Sequence, residues 1–336
     1  MGMRVGCCTA AALGLLSAHV AQADRAISVG SRTPSALHGL PLPSSGAEWQ
    51  TAAAHLDQVP GAVLDGASAV TIAVVDTGAD VSSPALASRH PLTYNVTNGS
   101  SAVDDTIGHG TFVASLAAGF GGQAQLMVVQ ANRGATFSDV DEAAGIVWAV
   151  DHGARIVNLS LSGSQTSSSE RAAVRYATKK GVLLVAAAGN GAQSGNRASY
   201  PAALLGREGL VVGASTATGA RASFSTTGRY VDLLAPGVGV LGALAAGAPN
   251  TLFAPAPGTA GYGVGSGTSY AAPEVAGAAA LVWAANPLLS AASVASILTS
   301  TASAHGAWST DLGYGTLDVG AAVTKALAST HTMRHR

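Results

Sequence analysis

The sequence predicts an α/β protein of three layers, in which helices cover both faces of a mainly parallel central sheet. Unbroken β-rich runs, of which residues 70–75 are the clearest, alternate with segments of helical periodicity. A repeated β-α-β order implies a parallel sheet covered by helices. Only 5% of the residues are aromatic while 42 are glycine, so small aliphatic side chains must fill a core of closely packed backbones.

The predicted elements follow one another in a regular order. After the strand at residues 70–75 come a helix around residues 112–117 and a strand at residues 126–130. Ser138 and Asp141 resemble a capping box that opens a helix through Val150. Ser167 and Glu170 cap the helix after that, which ends at Lys179 and Lys180 followed by Gly181. Further strands are predicted at residues 155–161, 182–187, 210–212 and 230–234, and further helices at residues 167–180, 269–285, 290–303 and 318–328.

The composition excludes several classes of protein. The chain of 336 residues has 17 basic and 18 acidic residues, which argues against a nucleic-acid binder that works through a general basic surface. Only 10% of the residues are charged and 48% are hydrophobic, so a disordered chain is excluded. No apolar run outside the N-terminus is long enough to span a bilayer, so we expect no stable membrane insertion. We expect a monomer.

The N-terminus has the three parts of a secretory signal peptide. Arg4 supplies the positive charge, residues 5–20 are mostly apolar, and residues 21–23 form a small-x-small cleavage site. We therefore predict secretion to the extracellular space or the periplasm; a short membrane anchor or a buried helix is the alternative. Both cysteines lie in this segment, so the mature chain would have no disulfide. The predicted organisation is a signal peptide at residues 1–23, a short linker or pro-segment at residues 24–45, one large domain at residues 46–328 and a tail at residues 329–336.

Four polar residues stand where predicted strands end or helices begin. Asp76 and Asn190 each follow a strand, His109 opens a helix between two glycines, and Ser269 ends a glycine-rich loop that leads into a helix. Ligands of such sheets bind at the carboxyl ends of the strands. Each residue alone has an ordinary structural explanation, as a cap or a turn residue. The functional interpretation depends on the four together.

The stretches around these residues resemble the signature blocks of the subtilisin-like serine proteases. They read Val-Val-Asp76-Thr-Gly, Gly-His109-Gly-Thr, Ala-Ala-Gly-Asn190 and Gly-Thr-Ser269-Tyr-Ala-Ala-Pro, in the family's order of aspartate, histidine and serine. The resemblance covers roughly residues 46–328 and implies the subtilisin-like fold and a secreted serine endopeptidase. It implies that the Ser269 hydroxyl attacks a peptide carbonyl while His109 transfers the proton and Asp76 holds the His109 tautomer. Asn190 and the Ser269 N–H would stabilise the oxyanion.

The resemblance also implies where a polypeptide substrate binds. One segment should pair with the substrate backbone as an added strand: Ser160, Leu161, Ser162 and Gly163. A second segment should form the opposite wall of the specificity pocket: Ala187, Ala188 and Gly189. Neither segment carries an acid, so we expect broad specificity with an apolar preference before the scissile bond.

No cofactor for catalysis and no catalytic metal is implied. Many members of the family bind structural calcium through an acid just after the proline that follows the aspartate motif. Here Ala85 follows Pro84, so we expect that this site is absent. The sequence leaves open whether calcium binds elsewhere.

Two other functions can be compared with the peptidase. A catalytically inactive, secreted binding module that keeps the fold is the main alternative, and the intact triad residues argue against it. An α/β-hydrolase esterase is disfavoured because the chain has no G-x-S-x-G motif and its residue order differs.

Overall fold

The computed structural model describes residues 26–27, 49–134, 136–206 and 208–333 of the chain. The predicted signal peptide at residues 1–23 lies outside the described residues. So do the predicted linker, apart from residues 26–27, and the predicted tail beyond residue 333. These assignments therefore stay predictions.

The described part of the chain alternates between strands and helices. The strands are β1 Ala26–Ile27, β2 Thr71–Asp76, β3 Leu92–Asn95, β4 Gln125–Gln130, β5 Asn132–Arg133, β6 Thr136–Ser138, β7 Ile156–Leu159, β8 Leu183–Ala187, β9 Gly209–Ser215, β10 Leu233–Pro236, β11 Val238–Ala243, β12 Ala254–Pro255 and β13 Tyr262–Ser266. The α-helices are α1 Trp49–Ala53, α2 Gly61–Gly66, α3 His109–Phe120, α4 Asp139–Asp151, α5 Ser168–Lys179, α6 Ala202–Leu205, α7 Thr268–Ala285, α8 Ala291–Thr301 and α9 Val319–Met333. Short 3-10 helices occupy Leu56–Gln58, Ala67–Ala69, Ala87–Arg89 and Ala192–Ser194. None of these described helices is both long enough and apolar enough to cross a bilayer.

A seven-stranded parallel sheet forms the centre of the molecule, in the order β10-β9-β8-β7-β2-β4-β3. In the register of the sheet, Val74 of β2 lies between Val128 of β4 and Asn158 of β7. Every residue of β7, β8, β9 and β10 is buried, as strands covered on both faces must be. The predicted three-layer α/β fold with a parallel sheet is confirmed.

The alternation of side chains along β2 divides the core into two clusters. Ile72 and Val74 belong to one cluster together with apolar residues of α3, α7, α8 and α9. Ala73 and Val75 belong to the other cluster, which includes residues of α4 and α5. Successive strand residues point to opposite faces of a sheet, so a continuous apolar run can serve both layers of helices.

Helices α3 and α7 pack very closely within the first cluster. A Cβ atom added to Gly277 of α7 would lie 2.6 Å from the Cβ atom of Phe120 in α3. Such a distance is too short for two carbon atoms, so only glycine allows this approach. The prediction that small residues let the backbones pack closely agrees with this contact.

The local helix signals also agree with the structure. The Ser138 hydroxyl accepts a hydrogen bond from the Asp141 N–H and caps α4, while the Ser167 hydroxyl accepts one from the Glu170 N–H and caps α5. Gly181 follows α5 with a φ of 76°, the left-handed conformation that favours glycine after a helix.

Sequence patterns did not predict strand β3 or two small antiparallel sheets, of order β1-β6-β5 and β11-β13-β12. Strands β11 and β13 are rich in glycine, which has low β-propensity. Pairing between the two strands, rather than the preference of either alone, therefore determines this antiparallel pair.

Candidate active site

The sequence-predicted site residues meet at the carboxyl edge of the central sheet. Asp76 is the last residue of β2, Ser160 follows β7, and Asn190 follows β8. Strands β8, β7 and β2 are neighbours in the sheet and run parallel, so their carboxyl ends share one edge. Helices α3 and α7 bring His109 and Ser269 to the site through their first turns.

Asp76 and His109 are in direct contact. The His109 Nδ1 atom lies 2.7 Å from the Asp76 Oδ1 atom, and both side chains are fully buried. The Thr77 N–H donates to the same Oδ1 atom at 2.7 Å and holds the carboxylate in place. A carboxylate is an acceptor, so Nδ1 carries the proton and Nε2 presents its lone pair. Among the described residues Nε2 has no hydrogen-bond partner, which leaves it available as a base.

Asp105 positions the start of the helix that carries His109. Its Oδ1 atom accepts hydrogen bonds from the Thr77 hydroxyl at 2.9 Å, the Ile107 N–H at 3.2 Å and the Gly108 N–H at 2.7 Å. Its Oδ2 atom accepts from the Thr111 N–H at 2.8 Å and the Thr111 hydroxyl at 2.6 Å. The carboxylate thus joins the end of β2 to the first turn of α3.

Sequence reasoning assigned Asp105 no role. A signal existed, since an acid shortly before a helix start matches both the unpaired N–H groups and the positive end of the helix dipole. The link to Thr77 could not be read from the sequence, because the two residues are 28 positions apart.

The glycines beside His109 let neighbouring groups approach the backbone of α3 closely. A Cβ atom on Gly110 would lie 2.1 Å from the Gly78 carbonyl oxygen, and one on Gly108 would lie 2.2 Å from the Asn250 side-chain oxygen. The Gly110 N–H donates to the Thr77 hydroxyl at 2.8 Å. Small residues here let α3 begin directly against the loop that follows β2.

Ser269 is held against the segment that follows β7. The Ser269 hydroxyl donates to the Ser160 carbonyl at 3.2 Å, and the Ser160 hydroxyl donates to the Ser269 carbonyl at 2.7 Å. The Asn158 amide donates to the Ser160 hydroxyl at 2.9 Å. The structure therefore joins Asp76 to His109 and Ser269 to Ser160, but it contains no hydrogen bond from Ser269 to the Nε2 atom of His109.

The orientation of the Asn190 side chain follows from its contacts with Thr268. Its Oδ1 atom accepts from the Thr268 N–H at 3.0 Å and from the Thr268 hydroxyl at 3.0 Å. Because both partners are donors, the oxygen of the amide must face Thr268, and the NH₂ group points the other way. The Thr268 hydroxyl also accepts from the Gly189 N–H at 3.1 Å, which ties the end of β8 to the start of α7.

Different structural contacts hold the two proposed substrate segments in place. Leu161 is fully buried in the core behind the first segment. Gly163 exchanges two backbone hydrogen bonds with Tyr200, at 2.8 and 3.0 Å, so its backbone groups are already paired. In the second segment, Gly189 has a φ of 97°, and a Cβ atom there would lie 2.9 Å from the Cβ atom of Ser199.

The residues near Ala85 do not suit a calcium ion. The methyl group of Ala85 supplies no oxygen ligand, and it lines a cavity together with the guanidinium of Arg89. This cation donates to the carbonyl groups of Ala118 and Gly122, which are the kind of ligand that calcium would need. Within the described ranges no three His, Cys, Asp or Glu side chains are grouped closely enough to hold a metal ion.

Known proteins resemble this chain in sequence. The sequence profile of the subtilase family, peptidase family S8, matches residues 67–315. The chain is 33% identical over 245 residues to subtilisin amylosacchariticus of Bacillus subtilis subsp. amylosacchariticus, an alignment that covers 70% of this chain and 61% of that relative. It is also 33% identical over 265 residues to a subtilisin of Bacillus pumilus, covering 76% of this chain and 91% of that relative.

A solved structure is similar as well. The crystal structure of fervidolysin from Fervidobacterium pennivorans, described as a keratinolytic enzyme related to subtilisin, matches with a TM-score of 0.71 at 28% sequence identity. The match covers 82% of this chain and 45% of the fervidolysin chain. This chain thus spans less than two thirds of the length of fervidolysin and of subtilisin amylosacchariticus. Given the profile match and the coverage of the Bacillus pumilus relative, the chain belongs to the subtilase family.

Proposed function

We propose that the protein is a secreted serine endopeptidase that hydrolyses peptide bonds in polypeptides. The observation that carries this proposal is the buried contact of 2.7 Å between Asp76 and His109, beside a helix that carries Ser269 in its first turn. A histidine oriented by a carboxylate, with no hydrogen-bond partner for its second ring nitrogen among the described residues, is the arrangement that general-base catalysis needs.

In the proposed mechanism, Ser269 is the nucleophile and His109 is the base. The Ser269 hydroxyl releases its hydrogen bond to Ser160 and transfers its proton to the Nε2 atom of His109 as its oxygen attacks the substrate carbonyl carbon. His109 then returns the proton to the leaving amine, and the peptide bond breaks to give an acyl-enzyme. Water repeats these steps to release the acid, while Asp76 stabilises the imidazolium in each half. Hydrogen bonds of this kind are often incomplete before a substrate binds.

Asn190 and the Ser269 N–H would supply the oxyanion hole. The Thr268 contacts turn the Asn190 NH₂ group away from α7, and the N–H of Ser269 belongs to the first turn of that helix. Two donors at a helix N-terminus stabilise an oxygen that gains negative charge in the transition state.

We assign substrate binding to the two small-residue segments. Ser160, Leu161 and Ser162 would pair with the substrate backbone, and Gly163 would anchor the end of this segment through Tyr200. The opposite wall would consist of Ala187, Ala188 and Gly189. Since neither wall carries a charge, we expect broad specificity with an apolar side chain directly before the scissile bond.

The experiment compares Ser269→Ala and Asp76→Asn with a matched control, Ser101→Ala, at an exposed serine on the loop after β3. Ser269→Ala should abolish both casein hydrolysis and labelling by a fluorophosphonate. Asp76→Asn should lower kcat by roughly 10⁴-fold, because its amide favours the wrong tautomer of His109. The control should retain full activity. Peptidase activity that persists in Ser269→Ala would contradict the proposal.

The inactive binding module remains the alternative. A folded wild-type protein that neither reacts with the fluorophosphonate nor cleaves casein would favour it.

N-terminal sequencing of the secreted wild type and of Ser269→Ala tests the proposed secretion and signal cleavage. An N-terminus at Asp24 in both proteins indicates signal cleavage, and a later start in the wild type alone indicates that the enzyme trims itself.

A further inference from the structure

A glycine, Gly191, directly follows the proposed oxyanion residue Asn190. An asparagine that precedes glycine is prone to lose its side-chain amide without any enzyme. Glycine has no side chain and a mobile backbone, so its nitrogen can reach the asparagine side chain. The sequence contains two such pairs, Asn98-Gly99 and Asn190-Gly191. The second pair concerns function, since the amide of Asn190 is one of the two proposed donors to the oxyanion.

The fold does not require glycine at position 191. Gly191 has a φ of −96° and a ψ of 7°, a backbone conformation that residues with a side chain also adopt. A Cβ atom added there would meet only the Thr226 hydroxyl oxygen, at an ordinary contact distance of 3.7 Å. Alanine should therefore fit at this position without strain. Gly191→Ala is thus a variant that removes the asparagine-glycine pair and keeps the fold.

Thr226 holds the backbone on both sides of Asn190. Its hydroxyl oxygen accepts a hydrogen bond from the Gly191 N–H at 3.0 Å. Its own N–H donates to the Gly189 carbonyl at 2.9 Å. Thr226 is only 1% exposed, so water has little access to replace either hydrogen bond. The two bonds therefore fix the peptide units that precede and follow Asn190.

The segment that carries Thr226 is itself fixed to the central sheet. The neighbouring Ser225 hydroxyl accepts a hydrogen bond from the Ala214 N–H in β9 at 3.0 Å. The Arg221 guanidinium donates to the Ser225 carbonyl at 2.9 Å. A threonine on a segment anchored in this way holds the Gly191 N–H in one direction.

Loss of the amide requires a bond between the Gly191 nitrogen and the Cγ atom of Asn190. The nitrogen attacks Cγ, its proton is transferred through water to the side-chain amide, and ammonia leaves, so that a succinimide ring joins the two residues. Water then adds to either carbonyl of the ring and opens it to aspartate or isoaspartate. The net reaction consumes one water molecule and releases one ammonia molecule, and nothing is oxidised or reduced.

The hydrogen bonds around Asn190 oppose the first step of this reaction. The Gly191 N–H donates to Thr226, so this hydrogen bond must break before the nitrogen can turn toward the side chain of Asn190. The side chain is also restrained, because its Oδ1 atom accepts hydrogen bonds from the N–H and the hydroxyl of Thr268. Closure of the ring therefore requires a local opening of the structure.

We propose that Asn190 is a site of spontaneous deamidation and that the Thr226 hydroxyl protects it by holding the Gly191 N–H. Deamidation replaces the amide donor by a carboxylate, which repels the negative charge of the oxyanion. The modification does not depend on the peptidase activity, but its consequence for activity rests on the proposed function. Loss of one oxyanion-hole donor costs about 10²–10³-fold in kcat in a subtilisin, so the deamidated enzyme should be almost inactive.

The first test measures deamidation without catalysis, in a Ser269→Ala background that prevents self-digestion. Thr226→Val removes the hydroxyl and keeps the branched shape of the side chain. During incubation at mildly alkaline pH, peptide mass spectrometry follows the conversion of asparagine to aspartate and isoaspartate. Thr226→Val should accelerate the reaction at Asn190 by about 2- to 10-fold, the factor that corresponds to one hydrogen bond. Thr226→Ser keeps the hydroxyl and should retain the slow rate.

Asn98 is the matched reference within the same chain. It is exposed and lies on the loop after β3. Its rate of deamidation should be the same in every variant. An unchanged rate at Asn190 in Thr226→Val would overturn the protection by Thr226, and so would an equal acceleration at Asn98 and Asn190, which would indicate a loosening of the whole fold.

A comparison of folded and unfolded protein needs no substitution at Thr226. In urea the hydrogen bonds to Thr226 and Thr268 are lost, so Asn190 should deamidate faster than in the folded protein. Equal rates in the two states would overturn the protection, even if Thr226→Val fails to fold.

The second test relates the modification to activity and uses the active enzyme. The activity per intact chain of Thr226→Val should fall in step with the deamidation of Asn190, because the product has lost an oxyanion donor. Addition of Gly191→Ala to Thr226→Val should suppress both changes, since the methyl group of alanine hinders closure of the ring. Activity that falls while Asn190 stays an amide would overturn the inference.

The inference and the proposed function fail in different ways. If the wild type cleaves no peptide, the proposed peptidase function falls, and the first test still decides whether Thr226 protects Asn190. If Asn190 deamidates faster in Thr226→Val while the activity per intact chain is unchanged, the deamidation site stands and the proposed oxyanion role of Asn190 falls.

Discussion

Replacement of Asp105 by asparagine should disrupt the contact between β2 and α3 while leaving the shape of the side chain nearly unchanged. Asp105 is buried, and its two oxygens accept five hydrogen bonds. An amide has one acceptor atom and one donor group. Whichever way the amide turns, its NH₂ group faces at least one backbone N–H, either that of Thr111 or those of Ile107 and Gly108.

The size of the effect follows from the number of acceptors lost. The Oδ2 atom accepts hydrogen bonds from two donors and the Oδ1 atom from three. Asparagine replaces one of these oxygens by an NH₂ group, so at least two donors lose their acceptor. At about 1–3 kcal/mol for each buried donor left without a partner, Asp105→Asn should lower the free energy of unfolding by roughly 2–6 kcal/mol. A shift of His109 should also reduce kcat, by about 10²-fold for a displacement near 1 Å, with KM nearly unchanged.

Urea unfolding measures the first effect, in a Ser269→Ala background that prevents self-digestion, and steady-state kinetics measure the second in the active enzyme. Asp104→Asn is the matched control, since Asp104 is the neighbouring acid and is exposed. It should change the free energy of unfolding by no more than about 0.5 kcal/mol. If Asp105→Asn unfolds and turns over like this control, the carboxylate does not hold α3 in place and the reasoning is wrong.

Three other measurements test the packing and the electrostatics. Gly277→Ala should lower the free energy of unfolding by about 1–3 kcal/mol, because α3 leaves no room for a methyl group. Gly119→Ala should raise it by roughly 0.5–1 kcal/mol, because an added methyl group there meets no atom within 4 Å. Urea unfolding would contradict the packing argument if both variants changed the free energy of unfolding alike. Millimolar peroxide should leave peptidase activity unchanged, because Tyr270 follows the proposed nucleophile Ser269 and Met127 is only 4% exposed. Rapid inactivation with both residues unmodified would contradict this prediction. Burial raises the pKa of Asp232 to about 7, so the folded protein keeps a proton that the unfolded chain loses near pH 4. The free energy of unfolding should therefore fall between about pH 4 and about pH 7, by at most roughly 4 kcal/mol from this group. Asp232→Asn should remove this part of the dependence of the unfolding free energy on pH.

Local features of the sequence predicted much of the fold. The strand predicted at residues 70–75 forms as Thr71–Asp76, since a continuous apolar run satisfies both faces of a covered strand. The caps at Ser138 and Ser167 form because each needs only a side chain and an N–H three residues away. The glycine-rich strands β11 and β13 were not predicted, since neither strand has a strong β-propensity of its own.

In the candidate site, too, some features follow from neighbouring positions in the sequence and others only from the tertiary structure. The sequence by itself determined which residues stand at strand ends and helix starts, because periodicity and capping act over a few neighbouring positions. Only the tertiary structure decided that Asp105 would tie Thr77 to the helix of His109 and that Ser160 would bond with Ser269 across 109 positions. The physical reason is that hydrogen bonds and charges depend on distance in space, and the packing of the whole chain sets that distance.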